Sequence, residues 1–158
     1  MSKDFARSVA LLAPVPEEHL HDGAVVCAQQ GKVAFGSRAF ETFLELDGIR
    51  DGAPVDVYIY ASHTVRDGPA KATWAATYVG QAKAPGGAHP DGRKYRPPST
   101  FEHESDNKGH WALFCEVANL RRLSEEEAIL VRDMQGWKHK TKYDKFFIPE
   151  GPLIIERP

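Results

Sequence analysis

An arginine and a glutamate three residues apart, Arg38 and Glu41, are the side chains in this sequence best suited to recognise a polar ligand. At this spacing the two side chains share one face of a helix. A guanidinium can hold a phosphate or a base carbonyl, and a carboxylate accepts a hydrogen bond from an exocyclic amine. The alternative is an exposed ion pair that adds little to stability. We interpret the pair as candidate ligand-binding residues.

A second carboxylate, Glu116, interrupts the apolar run ALFCEVA. Strand alternation places it on the same face as Phe114 and Ala118. A carboxylate among apolar side chains is costly unless it is paired, and such groups gather at functional sites. The alternative is the solvent face of an edge strand. If the protein is an enzyme, Glu41 and Glu116 are the candidate general bases.

Aromatic side chains in the predicted strands suit a pocket for a nucleobase. Tyr60, Trp74 and Trp111 are the candidates, and Ser62 follows Tyr60 on the same face of its strand. Stacking of one base on an aromatic side chain contributes about 1–3 kcal/mol and needs no strong positive charge. The alternative is ordinary core packing, which we expect for at least half of the aromatic residues.

Basic residues are concentrated in two segments that also contain aromatic residues. The net charge is −2, which excludes the global basic field of a non-specific duplex-DNA binder, so a nucleic-acid site has to be a local patch. We predict contacts to a nucleic-acid backbone from these residues, with a solvated surface as the alternative: Arg93, Lys94, Arg96, Lys138, Lys140 and Lys142.

The order of the predicted elements indicates a single α+β domain over residues 1–158. A helix follows Ser37 and ends near Gly48, and a capping box formed by Ser124 and Glu127 predicts another helix up to Gly136. EEHLHDG reads as a helical turn or loop, and AVVCA as strand or helix. Glycine, proline and polar residues dominate 84–110, which predicts a long flexible loop. The predicted strands are 9–13, 32–35, 55–62, 72–83, 111–118 and 153–155, with the third and fourth as a hairpin or an adjacent antiparallel pair.

The stretch Gly36–Phe43 resembles the GxKxxExR signature of ASCH domains, which belong to the PUA-like superfamily together with EVE and YTH domains. Gly36, Arg38 and Glu41 agree in type with the signature, whereas Phe43 stands where the family has arginine. The resemblance extends over residues 24–123. It implies a small bent β-barrel of about five to seven strands with two or three helices, and binding of RNA or a modified nucleotide.

The resemblance also raises an enzymatic alternative, a ribonuclease or a nucleoside amidohydrolase. Some small ASCH proteins hydrolyse an acylated cytidine with a lysine, a threonine and a glutamate. Arg38 and Glu41 stand at the lysine and threonine positions here, and Glu116 matches the glutamate. Arginine does not deprotonate near neutral pH and Glu41 is not an alcohol, which argues against this chemistry. A third hypothesis is a protein-interaction domain that uses residues 84–110.

Further sequence features bear on the redox state of the cysteines, the cellular location, and the need for a cofactor or metal. Cys27 and Cys115 lie in apolar runs and are predicted to be buried, reduced thiols. Prolines interrupt the short apolar stretch near the N-terminus, so neither a signal peptide nor a membrane span is expected and the predicted location is the cytoplasm. The sequence has no phosphate-binding loop and no HExxH spacing, and we predict no cofactor and no metal.

Overall fold

Seven strands and two α-helices form the regular structure of the chain in its computed structural model, which describes residues 8–62, 68–101 and 111–158. The strands are β1 (Val9–Pro16), β2 (Val33–Ser37), β3 (Val55–Ser62), β4 (Lys71–Lys83), β5 (Leu113–Arg122), β6 (Ile129–Leu130) and β7 (Leu153–Glu156). The helices are α1 (Glu17–Gln30) and α2 (Phe40–Arg50). Within these described ranges, short 3-10 turns lie at Pro85–Gly87, Pro98–Thr100 and Val131–Asp133.

The strands form one mixed sheet in the order β2-β5-β4-β3-β1-β7, with β6 paired to β4. β1 runs parallel to β3, and the other pairs are antiparallel. The predicted α+β class is therefore confirmed. In the described residues β2 and β7 end the sheet without pairing to each other, so the sheet is not closed into a barrel.

β3 and β4 form the predicted antiparallel pair, and their alternating sequence explains why. Val55, Val57 and Ile59 point into the main core, while the residues between them are more exposed. The pairing register shifts between Ile59 and Tyr60. Such an irregularity bends a strand and changes the direction of the following side chains.

β1 is longer than the predicted strand, because it continues through Pro14 to Pro16. Ala10 to Leu12 pair with both β3 and β7, but the pairing with β7 ends at Leu12. Proline has no amide hydrogen to donate, so it is tolerated where one side of a strand has no partner. The two prolines thus mark the place where the sheet loses β7.

Apolar clusters cover both faces of the sheet. The main core contains Val57 of β3, Phe35 of β2 and Leu20 of α1. The close packing of α1 depends on Gly23, where an added Cβ atom would lie 3.1 Å from the Phe35 ring. α1 is one continuous helix across the two segments that the sequence left undecided. A second cluster on the other face contains Leu12, Met134 and Ile155.

The helix predicted for 124–136 is wrong. The capping box itself does form, because Glu127 N donates to Ser124 Oγ (3.2 Å) and Ser124 N donates to the Glu127 carboxylate (3.3 Å). It closes only a turn. Ile129 and Leu130 then pair with β4 as β6, and this tertiary pairing overrides the local helical signal.

Residues 84–101, here called the cover segment, pack on the sheet, whereas 102–110 of the predicted loop lie outside the described residues. Ala34 N donates to Tyr95 O (2.8 Å), and Arg96 Nη1 donates to Ala34 O (2.7 Å). Ser99 N donates to Asp22 on α1 (2.9 Å). The cover segment therefore pairs with the free edge of β2 at Ala34.

Candidate functional site

A cavity of about 830 Å³ opens between the strands at the end of the sheet where β1 and β7 separate. Most of its wall is apolar, and the bent sheet brings together residues that are distant in sequence. Five parts of the chain form the wall: the end of β1 (13–16), the junction from β2 to α2 with Phe43, β3, the start of β5 with Trp111, and 148–152 before β7. The volume is within the range of small-molecule sites.

Gly36 is the position where the cavity wall depends on the absence of a side chain. A Cβ atom there would lie 2.4 Å from the indole of Trp111. The Trp111 ring therefore lies directly on the backbone of β2, which no larger residue at position 36 permits. The glycine of the signature-like stretch thus has a local packing role.

Arg38 lies in the short connection between β2 and α2 and lines the cavity. The turn is held by Ser37, whose Oγ accepts a hydrogen bond from Ala39 N (3.1 Å). The helix then begins at Phe40, so the predicted change from strand to helix is confirmed. Arg38 is exposed and forms no ion pair in the described part of the chain.

Glu41 does not lie in the cavity wall, although Arg38 does. It is an exposed residue in the first turn of α2. The carboxylate in the wall is instead Glu150, which the sequence analysis missed. The PEGP sequence around Glu150 is typical of a rigid turn, but no spacing relates residue 150 to residue 38 before the chain is folded.

Three of the predicted aromatic and hydroxyl residues, Tyr60, Ser62 and Trp111, line the cavity. The ring of Tyr60 also packs in the second apolar cluster, so Trp111 is the more accessible aromatic side chain. Trp74 is only 4% exposed in the main core, where its ring meets His21 edge-on at 5.2 Å. The structure therefore assigns Trp74 to core packing and not to stacking on a ligand.

Glu116 lies on the face of β5 that is turned away from the cavity. Its neighbours Cys115 and Val117 line the cavity, whereas Glu116 is buried beneath the cover segment. Lys32 Nζ lies 3.0 Å from its carboxylate. His89 accepts a hydrogen bond from Asp91 N at Nδ1 (3.0 Å), so Nε2 donates to Glu116 Oε2 (3.3 Å). These contacts compensate the buried charge.

Cys115 brings a thiol to the cavity wall, but in a form that is unsuited to nucleophilic chemistry. Burial, with smaller contributions from the nearby Glu116 and Asp47 carboxylates, raises the pKa of the Cys115 thiol well above its usual range. The reactive form of cysteine is the thiolate. Cys115 and Cys27 are both free and buried, which confirms the prediction for the two cysteines.

The residues of the first predicted basic cluster lie in the cover segment, and they differ in their exposure to solvent. Arg93 and Lys94 are exposed, with Arg93 4.5 Å from the centre of the Phe101 ring. Arg96 is 3% exposed and bonds to the backbone of β2, as described above. The prediction of a surface phosphate contact is therefore wrong for Arg96, because its guanidinium is buried and donates to the backbone of β2.

The second basic cluster lies away from the cavity. Lys138, Lys140 and Lys142 are exposed, and Lys140 lines a separate depression together with Trp137 and Arg157. Lys140 also forms an ion pair with Glu156. The depression adjoins the start of β1 and the end of β7, whereas the cavity adjoins their other ends. The two features share no residue.

Comparisons with known proteins add no family assignment. The sequence matches no protein-family model, and no curated protein sequence matches it significantly. Within the described ranges, no three His, Cys, Asp or Glu side chains come together as metal ligands, and no helix is long and apolar enough to cross a membrane.

Proposed function

We propose that this chain is a PUA-like domain of the ASCH type and that its cavity binds the base of a nucleotide or of single-stranded RNA. The strand-to-helix junction at Gly36–Phe40 and the mixed seven-stranded sheet support the proposal. The finer assignment, to this superfamily with its barrel-like bent sheet, rests on the resemblance of Gly36–Phe43 to the ASCH signature.

The composition of the cavity wall suits a flat ring with polar edges. Apolar side chains dominate the wall, and Trp111 offers an aromatic surface on which a base can stack. Arg38 brings a cation that can bind a carbonyl or a phosphate, and Ser37 and Ser62 bring hydroxyl groups. The observation that carries the proposal is the convergence of Arg38 and Trp111, far apart in sequence, on one cavity.

The enzymatic alternative finds less support in this arrangement. Glu41 and Glu116, the two candidate general bases, both lie outside the cavity wall. A general base has to be within hydrogen-bond reach of the proton that it removes. Because Glu116 is held by Lys32 and His89 on the far face of β5, it has no contact with a ligand bound in the cavity.

Titration of the purified protein with labelled single-stranded RNA and with the four ribonucleoside monophosphates tests the proposal. The two arms distinguish a free nucleotide from a base within a strand. Arg38→Ala is expected to weaken binding about tenfold, since it removes a charged hydrogen-bond donor. Trp111→Ala is expected to weaken it between about fivefold and a hundredfold through loss of stacking.

Matched variants outside the cavity serve as controls. Arg122→Ala removes an exposed arginine of β5, and Phe146→Ala removes an aromatic side chain that is 78% exposed. Both are expected to bind as the wild type does. Absence of binding to every probe, or equal affinity of Arg38→Ala and the wild type, contradicts the proposal. Arg38 is exposed, so its replacement leaves the fold intact.

A further inference from the structure

The cavity wall carries two opposite charges that are not paired with each other. Arg38 and Glu150 are the charged residues among the described residues that line it. Within the described chain neither of them forms an ion pair. A cation and a carboxylate that line one cavity without pairing with each other are both available to a ligand.

Glu150 reaches the cavity wall from a turn that has a proline on each side. Pro149 is buried, and Pro149, Gly151 and Pro152 all belong to the cavity wall together with Glu150. Proline fixes its own backbone torsion and restricts the preceding residue, so the chain is restricted just before and just after Glu150. Arg38 enters the same wall from the junction between β2 and α2.

We propose that the ligand is a guanine-type base, with Arg38 at its acceptor edge and Glu150 at its donor edge. This inference rests on the proposed function. A guanidinium can bind O6 and N7 of guanine with two parallel hydrogen bonds. On its other edge guanine presents two adjacent donors, N1–H and the N2 amine, which a carboxylate accepts with its two oxygens.

The other bases match this pair of charges less well. Adenine and cytosine place a ring nitrogen with a lone pair beside the exocyclic amine, so one carboxylate oxygen of Glu150 would face an acceptor. Uracil places its single N–H between two carbonyl groups. An unmatched acceptor beside a carboxylate is repulsive, and sites built on hydrogen bonds reject ligands that leave their polar groups unpaired.

The affinities of guanosine, inosine and adenosine 5′-monophosphates for the wild-type protein and for Glu150→Gln test this inference. Inosine monophosphate lacks only the N2 amine of guanosine monophosphate. We expect the wild type to bind the guanine nucleotide about tenfold more tightly than the inosine nucleotide. In Glu150→Gln this ratio is expected to fall below about threefold, because an amide has only one acceptor oxygen.

Glu45→Gln is the matched control, since Glu45 is an exposed carboxylate of α2 outside the cavity. It is expected to keep the wild-type ratio. Binding of adenosine monophosphate as tight as that of the guanine nucleotide, or an unchanged ratio in Glu150→Gln, overturns the guanine assignment and leaves nucleobase binding in place. If no nucleotide and no RNA binds, the proposed function fails and the guanine assignment fails with it.

Discussion

At the scale of single residues, Gly36 is the position on which the geometry of the cavity depends most. Its contact with the Trp111 indole sets the height of the ring above β2. The absence of a side chain at position 36 is as much a part of the site as the presence of Arg38. The contact with Trp111 therefore explains why residue 36 is glycine, whether or not the resemblance to the ASCH signature is correct.

Replacement of Gly36 by alanine is expected to destabilise the protein and to weaken ligand binding. The methyl group would meet the indole at 2.4 Å, so Trp111 has to move. Overpacking of this kind costs about 1–3 kcal/mol, which urea unfolding measures directly.

Gly48→Ala provides the control for Gly36→Ala. Gly48 lies within α2, and an added Cβ atom meets nothing within 4 Å. This change is expected to raise the free energy of unfolding by about 0.5–1 kcal/mol, since alanine is the better helix former. Equal effects of the two alanines would show that the contact with Trp111 is not tight.

At the scale of secondary-structure elements, Asp47 attaches α2 to β4 and so holds one side of the cavity. Its carboxylate accepts hydrogen bonds from Arg50 Nε (2.7 Å), Tyr78 Oη (2.9 Å) and Gln81 Nε2 (2.7 Å). The Arg50 guanidinium also lies 4.9 Å from the centre of the Tyr78 ring. Phe43 of the same helix packs on Tyr78 and lines the cavity.

Asp47→Asn is expected to lower the free energy of unfolding by about 2 kcal/mol at neutral pH, because hydrogen bonds to a charged group are lost. Burial alone raises the pKa of Asp47, but the hydrogen bonds from Gln81, Arg50 and Tyr78 outweigh it and lower the pKa overall. A lowered pKa in the folded state stabilises the protein above the unfolded pKa of about 3.9. This contribution is lost as the pH falls through the folded-state pKa.

Urea unfolding at pH values near 7 and near 3 measures the free energy of unfolding of the wild type and of Asp47→Asn. We expect the wild type to exceed the variant by less at the lower pH. Asp51→Asn is the control. Asp51 is exposed just after α2 in a left-handed conformation (φ 48°), which asparagine also adopts. A difference for Asp47→Asn that does not change with pH would contradict the role of the carboxylate charge.

The elements that local patterns define could be predicted, and those that tertiary contacts define could not. The bounds of β3 follow from the alternation over 55–62, and they agree with the structure. The turn at Ser124 has a genuine capping box, yet the following residues pair with β4. The cover segment has the composition of a loop, and its packing depends on Arg96, whose partner Ala34 is 62 positions away.

The candidate site divides in the same way. Arg38 could be found because a local stretch carries both the charge and the change from strand to helix. Glu150 could not be found, since only the return of the chain before β7 brings it to the wall. Trp74 was predicted in the site but lies in the core. The sequence could not show this, because an aromatic residue of a strand has the same sequence pattern whether it faces a cavity or the core.

At the scale of the whole molecule, the cavity exists because the sheet bends without closing. β7 stops pairing with β1 at Leu12, and the prolines of β1 leave that side of the strand open. Residues 148–152 then form the remaining wall. A second depression containing Lys140 lies at the other end of the same two strands. We propose that the ligand binds in the first of these two places.

Chemical-shift mapping by NMR during titration with guanosine monophosphate or a short single-stranded RNA tests this claim most directly. We predict that the largest shifts occur at Ser37, Arg38, Ser62, Trp111 and Glu150 and that Arg38→Ala needs about tenfold more ligand to reach them. Shifts confined to residues around Lys140, or no shifts in the presence of millimolar ligand, would contradict it.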